Sequence, residues 1–160
     1  MPNVGKLFET EIRKFLETKY FAIRLPDILI QAPDRKVTTR KPFDFCGCDL
    51  EGRFIAVECK ATRADTFSFS RIEDHQAEAL GWVADTENGK AYLALNFRNV
   101  NSPGHAWLIS WKWWLDWESC WPKKSINKSE ALEEFWKFEL DRISGSWEMP
   151  NVHGPRMRLT

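Results

Sequence analysis

Asp44, Glu58 and Lys60 are the residues of this chain whose types and spacing could do chemistry. Pro42-Phe43-Asp44-Phe45-Cys46 reads as one strand, and Phe54-Ile55-Ala56-Val57-Glu58-Cys59-Lys60-Ala61 as its antiparallel partner. Between them, Leu50-Glu51-Gly52 reads as a three-residue turn with Gly52 in the left-handed region. That turn pairs Asp49 with Arg53 and, counted back along the ladder, sets Asp44 opposite Glu58. Opposed residues have Cβ atoms roughly 4.5–5.5 Å apart. Side chains alternate along a strand, so Glu58 and Lys60 share one face while Val57, Cys59 and Ala61 take the other. A turn of Glu51-Gly52 alone would slip the register by one residue and separate the pair.

Two facing carboxylates destabilise a strand pair unless positive charge lies between them. A divalent cation answers that need, and hard oxygen ligands in small number suit Mg²⁺ or Mn²⁺, which keep several waters. A lysine on the same face can orient a water or stabilise a negatively charged transition state. These are the parts of metal-assisted phosphodiester hydrolysis. The competing reading is a solvated hairpin with ordinary surface charges.

The elements that must position this group are legible in outline. Asn3 to Tyr20 has helical periodicity, with Phe8, Ile12, Phe15 and Leu16 apolar and Asn3 as an N-cap. Glu9 and Glu11 flank its apolar face, either of them a candidate third acid or a solvated residue. Phe21 to Ala32 is extended, most strand-like over Asp27 to Gln31, and a basic stretch follows to Lys41. Arg63 to Phe69 reads as a polar connection exposing Phe67 and Phe69. A second helix is predicted from Ser70 to about Val83, with Glu73 in the capping-box position. Strands are predicted over Lys90–Phe97 and His105–Trp111, and helices over Trp113–Trp117 and, capped by Ser129, over Ser129–Ile143. The tail from Ser144 has few core residues and is free to stay flexible or to dock. This order predicts an α/β fold with a mixed central sheet flanked by helices.

At 160 residues the chain makes one domain with a real core. Zero formal net charge means no global pull toward nucleic acid, so any contact with phosphate must be local. Residues 34–41 carry Arg35, Lys36, Arg40 and Lys41 against Asp34, and residues 153–158 are also basic. Cys46, Cys48, Cys59 and Cys120 lack zinc-site spacing and read as reduced thiols of a cytosolic protein. The start of the chain does not read as a signal peptide, and no apolar run approaches a membrane span. Trp107, Trp111, Trp113, Trp114 and Trp117 fit either a core or a dimer interface.

Gly5-Lys6-Leu7-Phe8-Glu9, Phe43-Asp44-Phe45 and Val57-Glu58-Cys59-Lys60, in that order, resemble the PD-(D/E)XK nuclease superfamily. More closely, they are similar to Holliday junction resolvases of the Hjc and RecU type. Glu73-Asp74-His75-Gln76-Ala77-Glu78 resembles the His-Gln signature of RecU proteins. The resemblance covers residues 3 to about 117, with everything after Trp121 outside it. Pro42 stands one place early, and residues 24–41 are short for the stalk that RecU proteins push into the junction.

The resemblance implies a PD-(D/E)XK nuclease-like fold and a homodimer that makes paired nicks in branched DNA. It implies a metal held by Asp44, Glu58 and the Cys59 carbonyl, with Glu9 acting directly or through water, and catalysis by Glu9, Asp44, Glu58, Lys60 and Gln76. Mg²⁺ is the implied cofactor, with Mn²⁺ able to substitute, in the cytoplasm of a prokaryote or phage-infected host. Thr62 and Arg63 could bind phosphate, and Arg35, Lys36, Arg40 and Lys41 the junction arms. His75 reads as structural. Residues 122–160 form a C-terminal helical extension in this reading. Another endonuclease of the same superfamily, of repair or restriction type, and a non-catalytic junction-binding module are the alternatives.

Overall fold

The computed structural model describes residues 3–26, 40–99 and 101–150, and the backbone alone of 29–32 and 35–38. In chain order the elements are α1 (Val4–Glu17), β1 (Phe21–Arg24), β2 (Leu29–Ala32), β3 (Arg35–Thr38), β4 (Phe45–Cys48), β5 (Phe54–Thr62) and β6 (Thr66–Ser68). A 3₁₀ turn (Phe69–Arg71) leads to α2 (Asp74–Asp85), β7 (Gly89–Asn99), β8 (Ser102–Ser110) and α3 (Trp111–Cys120). Then come β9 (Ser125–Asn127), α4 (Lys128–Glu134), a second 3₁₀ turn (Trp136–Phe138), β10 (Asp141–Ile143) and β11 (Ser146–Glu148).

The central sheet runs β1-β4-β5-β7-β8. Only β5 and β7 are parallel, and α2 lies in the crossover that a parallel pair requires. This is the mixed sheet flanked by helices that the sequence predicts. β5 is the central strand, so Ile55, Ala56 and Val57 are fully buried, as their unbroken apolar run demands. On one face, Phe8, Ile12, Phe15 and Leu16 of α1 pack on Phe45, Val57, Ala61, Ala94 and Leu108. On the other, Leu80 of α2 and Trp111 and Trp114 of α3 pack with Ala56, Leu93 and Leu95. Asn3 caps α1, its Oδ1 accepting from the Gly5 N–H at 3.0 Å.

The β4–β5 register follows the three-residue turn. Phe45 pairs with Val57 and Cys48 with Phe54, and the Asp49 N–H donates to the Arg53 carbonyl at 3.0 Å. Gly52 has φ of +75°, which is why glycine closes this turn. The ladder ends there: the Asp44 N–H also donates to the Val57 carbonyl, at 3.1 Å, and the Asp44 side chain takes the Cys59 N–H. Asp44 therefore lies beside β5 rather than paired with Glu58 as the sequence count expects, while the register up to Phe45 is that of the three-residue turn. The two-residue turn is thereby excluded. At Gly47, a Cβ would lie 1.9 Å from the Phe21 carbonyl oxygen, so β1 closes on β4 only because that position is glycine.

Several boundaries differ from the sequence reading. Phe67 and Phe69 are buried: β6 pairs with β9, setting Phe67 opposite Ile126. At the head of the 3₁₀ turn the Phe69 N–H donates to the Lys124 carbonyl at 3.0 Å, while its ring packs on Trp114 and Trp117. Ser70 falls in the 3₁₀ turn, and α2 begins with Glu73 as N-cap and Gln76 at the third position of a capping box. β8 starts at Ser102, and Trp111 opens α3 instead of ending the strand. Residues 122–150 are mixed rather than helical. Asn127, not Ser129, caps a helix that stops at Glu134, and β10 and β11 form a hairpin closed by Ser144 and Gly145, both at positive φ. That hairpin docks on α1 through Trp147, which is 3% exposed.

Trp107, Trp111 and Trp114 are at most 2% exposed and belong to the core. Trp113 and Trp117 pack against Phe135 at centroid separations of 5.7 and 4.8 Å. β2 and β3 pair with each other, Leu29 with Thr38 and Ala32 with Arg35, as a hairpin apart from the central sheet. The basic stretch at 153–158 lies outside the described residues. All four cysteines are free thiols. No helix among the described residues is long and apolar enough to cross a membrane.

Candidate active site

β5 presents Glu58 and Lys60 on the sheet face covered by α2, and the residue just before β4 brings Asp44 beside them. Both carboxylates are nearly sealed from solvent, Asp44 at 3% and Glu58 at 2% exposure. Asp44 Oδ2 accepts the Cys59 N–H at 2.8 Å, and its Oδ1 meets Lys41 Nζ at 2.6 Å. Glu58 Oε1 accepts from Gln76 Nε2 at 2.7 Å and meets Lys60 Nζ at 2.8 Å. Glu58 Oε2 is buried without a hydrogen-bond partner.

Gln76 links these groups. Its Oε1 accepts from Lys60 Nζ at 2.8 Å and from the Glu73 N–H at 3.1 Å, so one amide both closes the capping box of α2 and holds the acid and the lysine. His75 Nε2 lies 3.1 Å from the Lys41 carbonyl oxygen, so this nitrogen carries the proton and the ring braces the approach to β4.

Burial pushes the Glu58 carboxyl up to about 7, the negative charge of Asp44 pushes in the same direction, and Lys60 and Lys41 pull it down. Burial, followed by the fields of Asp44, Glu58 and Glu9, drives the Cys59 thiol well above its ordinary value. Glu9 is therefore within electrostatic reach of Cys59. Its Oε2, however, bonds Arg24 at 2.8 Å through Nη2 and 3.0 Å through Nε. Among the described residues no three acids, histidines or cysteines converge in a cluster able to hold a metal. Glu9 faces a shallow depression lined by Lys6, Thr10, Arg13 and Arg24.

A divalent cation fits what is present. Two hard carboxylates lie close enough to raise each other's proton affinity, one of their buried oxygens has no partner, and two ammonium groups partly balance their charge. Of the predicted phosphate contacts, Arg63 and Arg40 are exposed, while Lys41 is drawn onto Asp44. Thr62 is 6% exposed, and its hydroxyl accepts the Ala64 N–H at 3.1 Å, closing the turn after β5 instead of facing solvent. The side chains of Arg35 and Lys36 lie outside the described residues. Sequence reading missed that Arg24 pairs with Glu9 and assigned Lys41 to DNA alone. Neither pairing has a local signal, apart from the three-residue offset between Lys41 and Asp44.

A family model described as Recombination protein U, RecU, matches residues 28–143. The match runs past Trp121, where the motif resemblance stops, and leaves α1 and Glu9 outside. A search of curated proteins gives no match. Among solved structures, the chain is similar to Hjc of Archaeoglobus fulgidus, a Holliday junction resolvase from an archaeal hyperthermophile. Identity is 17% and the TM-score 0.49, with 78% of this chain and 89% of that chain covered.

Proposed function

This chain belongs to the RecU family, and from that premise we propose that it is a Holliday junction resolvase, a metal-dependent endonuclease that places paired nicks in four-way DNA junctions. The observation that carries this reading is the buried, neighbouring carboxylates Asp44 and Glu58, with Lys60 and Gln76 fixed on one Glu58 oxygen and the other without a partner. Asp44 and Glu58 are the metal ligands, with the Cys59 carbonyl beside them and Glu9 completing the set directly or through water. The cofactor is Mg²⁺, replaceable by Mn²⁺. When bound, the cation supplies Lewis-acid polarisation of the scissile phosphate and a water of lowered pKa.

The chain's own groups do the rest. Lys60 Nζ, held between Glu58 and Gln76, orients the attacking water and stabilises charge building on the phosphoryl oxygens. Gln76 keeps acid and base in register. Arg35, Lys36, Arg40, Lys41 and Arg63 meet backbone phosphates, a contact that positions the duplex arms without reading their sequence. Two copies related by a two-fold axis give the matched cuts that a symmetric junction needs.

A nicking assay on a labelled four-way junction, with linear duplex alongside, tests the reading. Symmetric nicks that require Mg²⁺ or Mn²⁺ and disappear in Glu58→Gln are expected. Equal cutting of linear duplex would remove the junction assignment. Tight junction binding with no cutting in either metal would make the protein a binding module.

A further inference from the structure

The β2–β3 hairpin has two roots, and each root carries a base that holds one acid of the site. Arg24, the last residue of β1, grips Glu9 with two nitrogens at 2.8 and 3.0 Å. Lys41, between β3 and β4, sits 2.6 Å from Asp44 Oδ1, and its carbonyl is tied to His75. We propose that Arg24 and Lys41 are positioning residues that hold Glu9 and Asp44 in a metal-excluding arrangement until DNA phosphates draw the two bases away. The inference rests on the metal-site reading of Asp44 and Glu58 given above.

The physical case is one of competition. A divalent cation sits about 2.1 Å from a carboxylate oxygen. An ammonium already 2.6 Å from Asp44 Oδ1 is a like charge on the same ligand and opposes its entry. Arg24 acts similarly at Glu9, occupying that carboxylate's Oε2 with two nitrogens beside Lys6 and Arg13. Both bases flank a hairpin whose own sequence includes Arg35 and Lys36, so DNA engaging it arrives next to Arg24 and Lys41 at once. Phosphate is the natural acceptor for either base. The site would then take up its cation in response to DNA and remain largely empty without it.

The test is Mn²⁺ binding, read from the electron paramagnetic resonance of free Mn²⁺, first in protein without DNA. Lys41→Met should bind Mn²⁺ about tenfold more tightly than wild type, because one opposing unit charge is removed. Arg24→Gln should gain less, and Lys41→Arg should keep the weak wild-type affinity. Lys41→Gln serves in place of Lys41→Met if circular dichroism shows that variant unfolded. In a Lys60→Met background, used to prevent cleavage, adding four-way junction should tighten Mn²⁺ binding when Lys41 is present and leave the Lys41→Met double variant nearly unchanged. Equal or weaker binding by Lys41→Met, or no gain on adding junction, overturns the proposal. Asp44→Asn separates the two readings. If it binds Mn²⁺ as wild type does, the metal site itself is wrong. If it loses Mn²⁺ while Lys41→Met gains nothing, only the exclusion by Lys41 falls.

Discussion

Glu11 and Glu58 lie on opposite sides of the same sheet, and their carboxylates meet opposite surroundings. Glu11, on α1, takes a two-pronged contact from Arg98 at 3.1 and 3.3 Å, the Trp147 indole N–H at 3.0 Å and Arg142 at 3.5 Å. Both oxygens are engaged, and the group ties α1, β7 and the β10–β11 hairpin together. Glu58 is more deeply buried, yet one of its oxygens has no partner and its proton affinity is raised. Glu11, with both oxygens engaged, joins elements, whereas Glu58 keeps one buried oxygen without a partner, which is the feature the proposed cation site uses. The helix acids Glu9 and Glu11, indistinguishable by periodicity, take different partners: Glu11 joins the clasp and Glu9 pairs with Arg24.

Breaking the open side should give the largest effect. Asp44→Asn and Glu58→Gln are each expected to lower junction cleavage by about a thousandfold or more while junction binding persists, read by single-turnover nicking and gel shift. The pH dependence of stability sharpens the same contrast. Glu58 ionises near 4.5 when exposed and near 7 in the fold. The unfolded chain therefore gives up this proton first. The metal-free protein should lose up to about 3 kcal/mol as pH rises from 4.5 through 7. Denaturant melts should show this loss in wild type, its absence in Glu58→Gln, and its relief by Mn²⁺.

Breaking the closed side should cost stability and spare chemistry. Glu11→Ala leaves Arg98 and the Trp147 indole without their acceptor, and urea melts should show a loss of about 2 kcal/mol. Cleavage per folded molecule should change little. Gln76→Ala touches both kinds of role, since Gln76 closes the N-terminal capping box of α2 and bonds both Lys60 and Glu58. A fall in cleavage rate of about tenfold is expected, with substrate affinity nearly unchanged. The smallest effect is Gly52→Ala in the turn, about 1 kcal/mol from the positive φ alone, measured as a shifted urea midpoint.

The strand register around the candidate site was legible because it is local. A three-residue turn with glycine in its last position sets the register to Phe45 and Val57, and strand alternation puts Glu58 and Lys60 on one face. Asp44, by contrast, leaves the ladder to bond Val57 and Cys59, which counting does not foresee. The cap at Asn3 was legible for the same reason, whereas the box read as Ser70 with Glu73 is in fact Glu73 with Gln76, one turn later, because Ser70 lies in the 3₁₀ turn. What escaped was tertiary. Phe67 and Phe69 gave no hint that β9, more than fifty residues away, would cover them. β10 and β11 are three residues each, too short for an alternation signal, and only the burial of Trp147 against α1 accounts for their docking. The bases on Glu9 and Asp44 come from the two roots of a hairpin, and no spacing rule connects them.

Anomalous diffraction from crystals of the protein soaked in Mn²⁺ together with a non-cleaved junction tests the central claim most directly. The account predicts one strong peak at each site, bonded to Asp44 and to the Glu58 Oε2 that now lacks a partner, with Lys41 withdrawn from Asp44. A peak elsewhere, or none with Lys41 still on Asp44 and DNA bound, would contradict it.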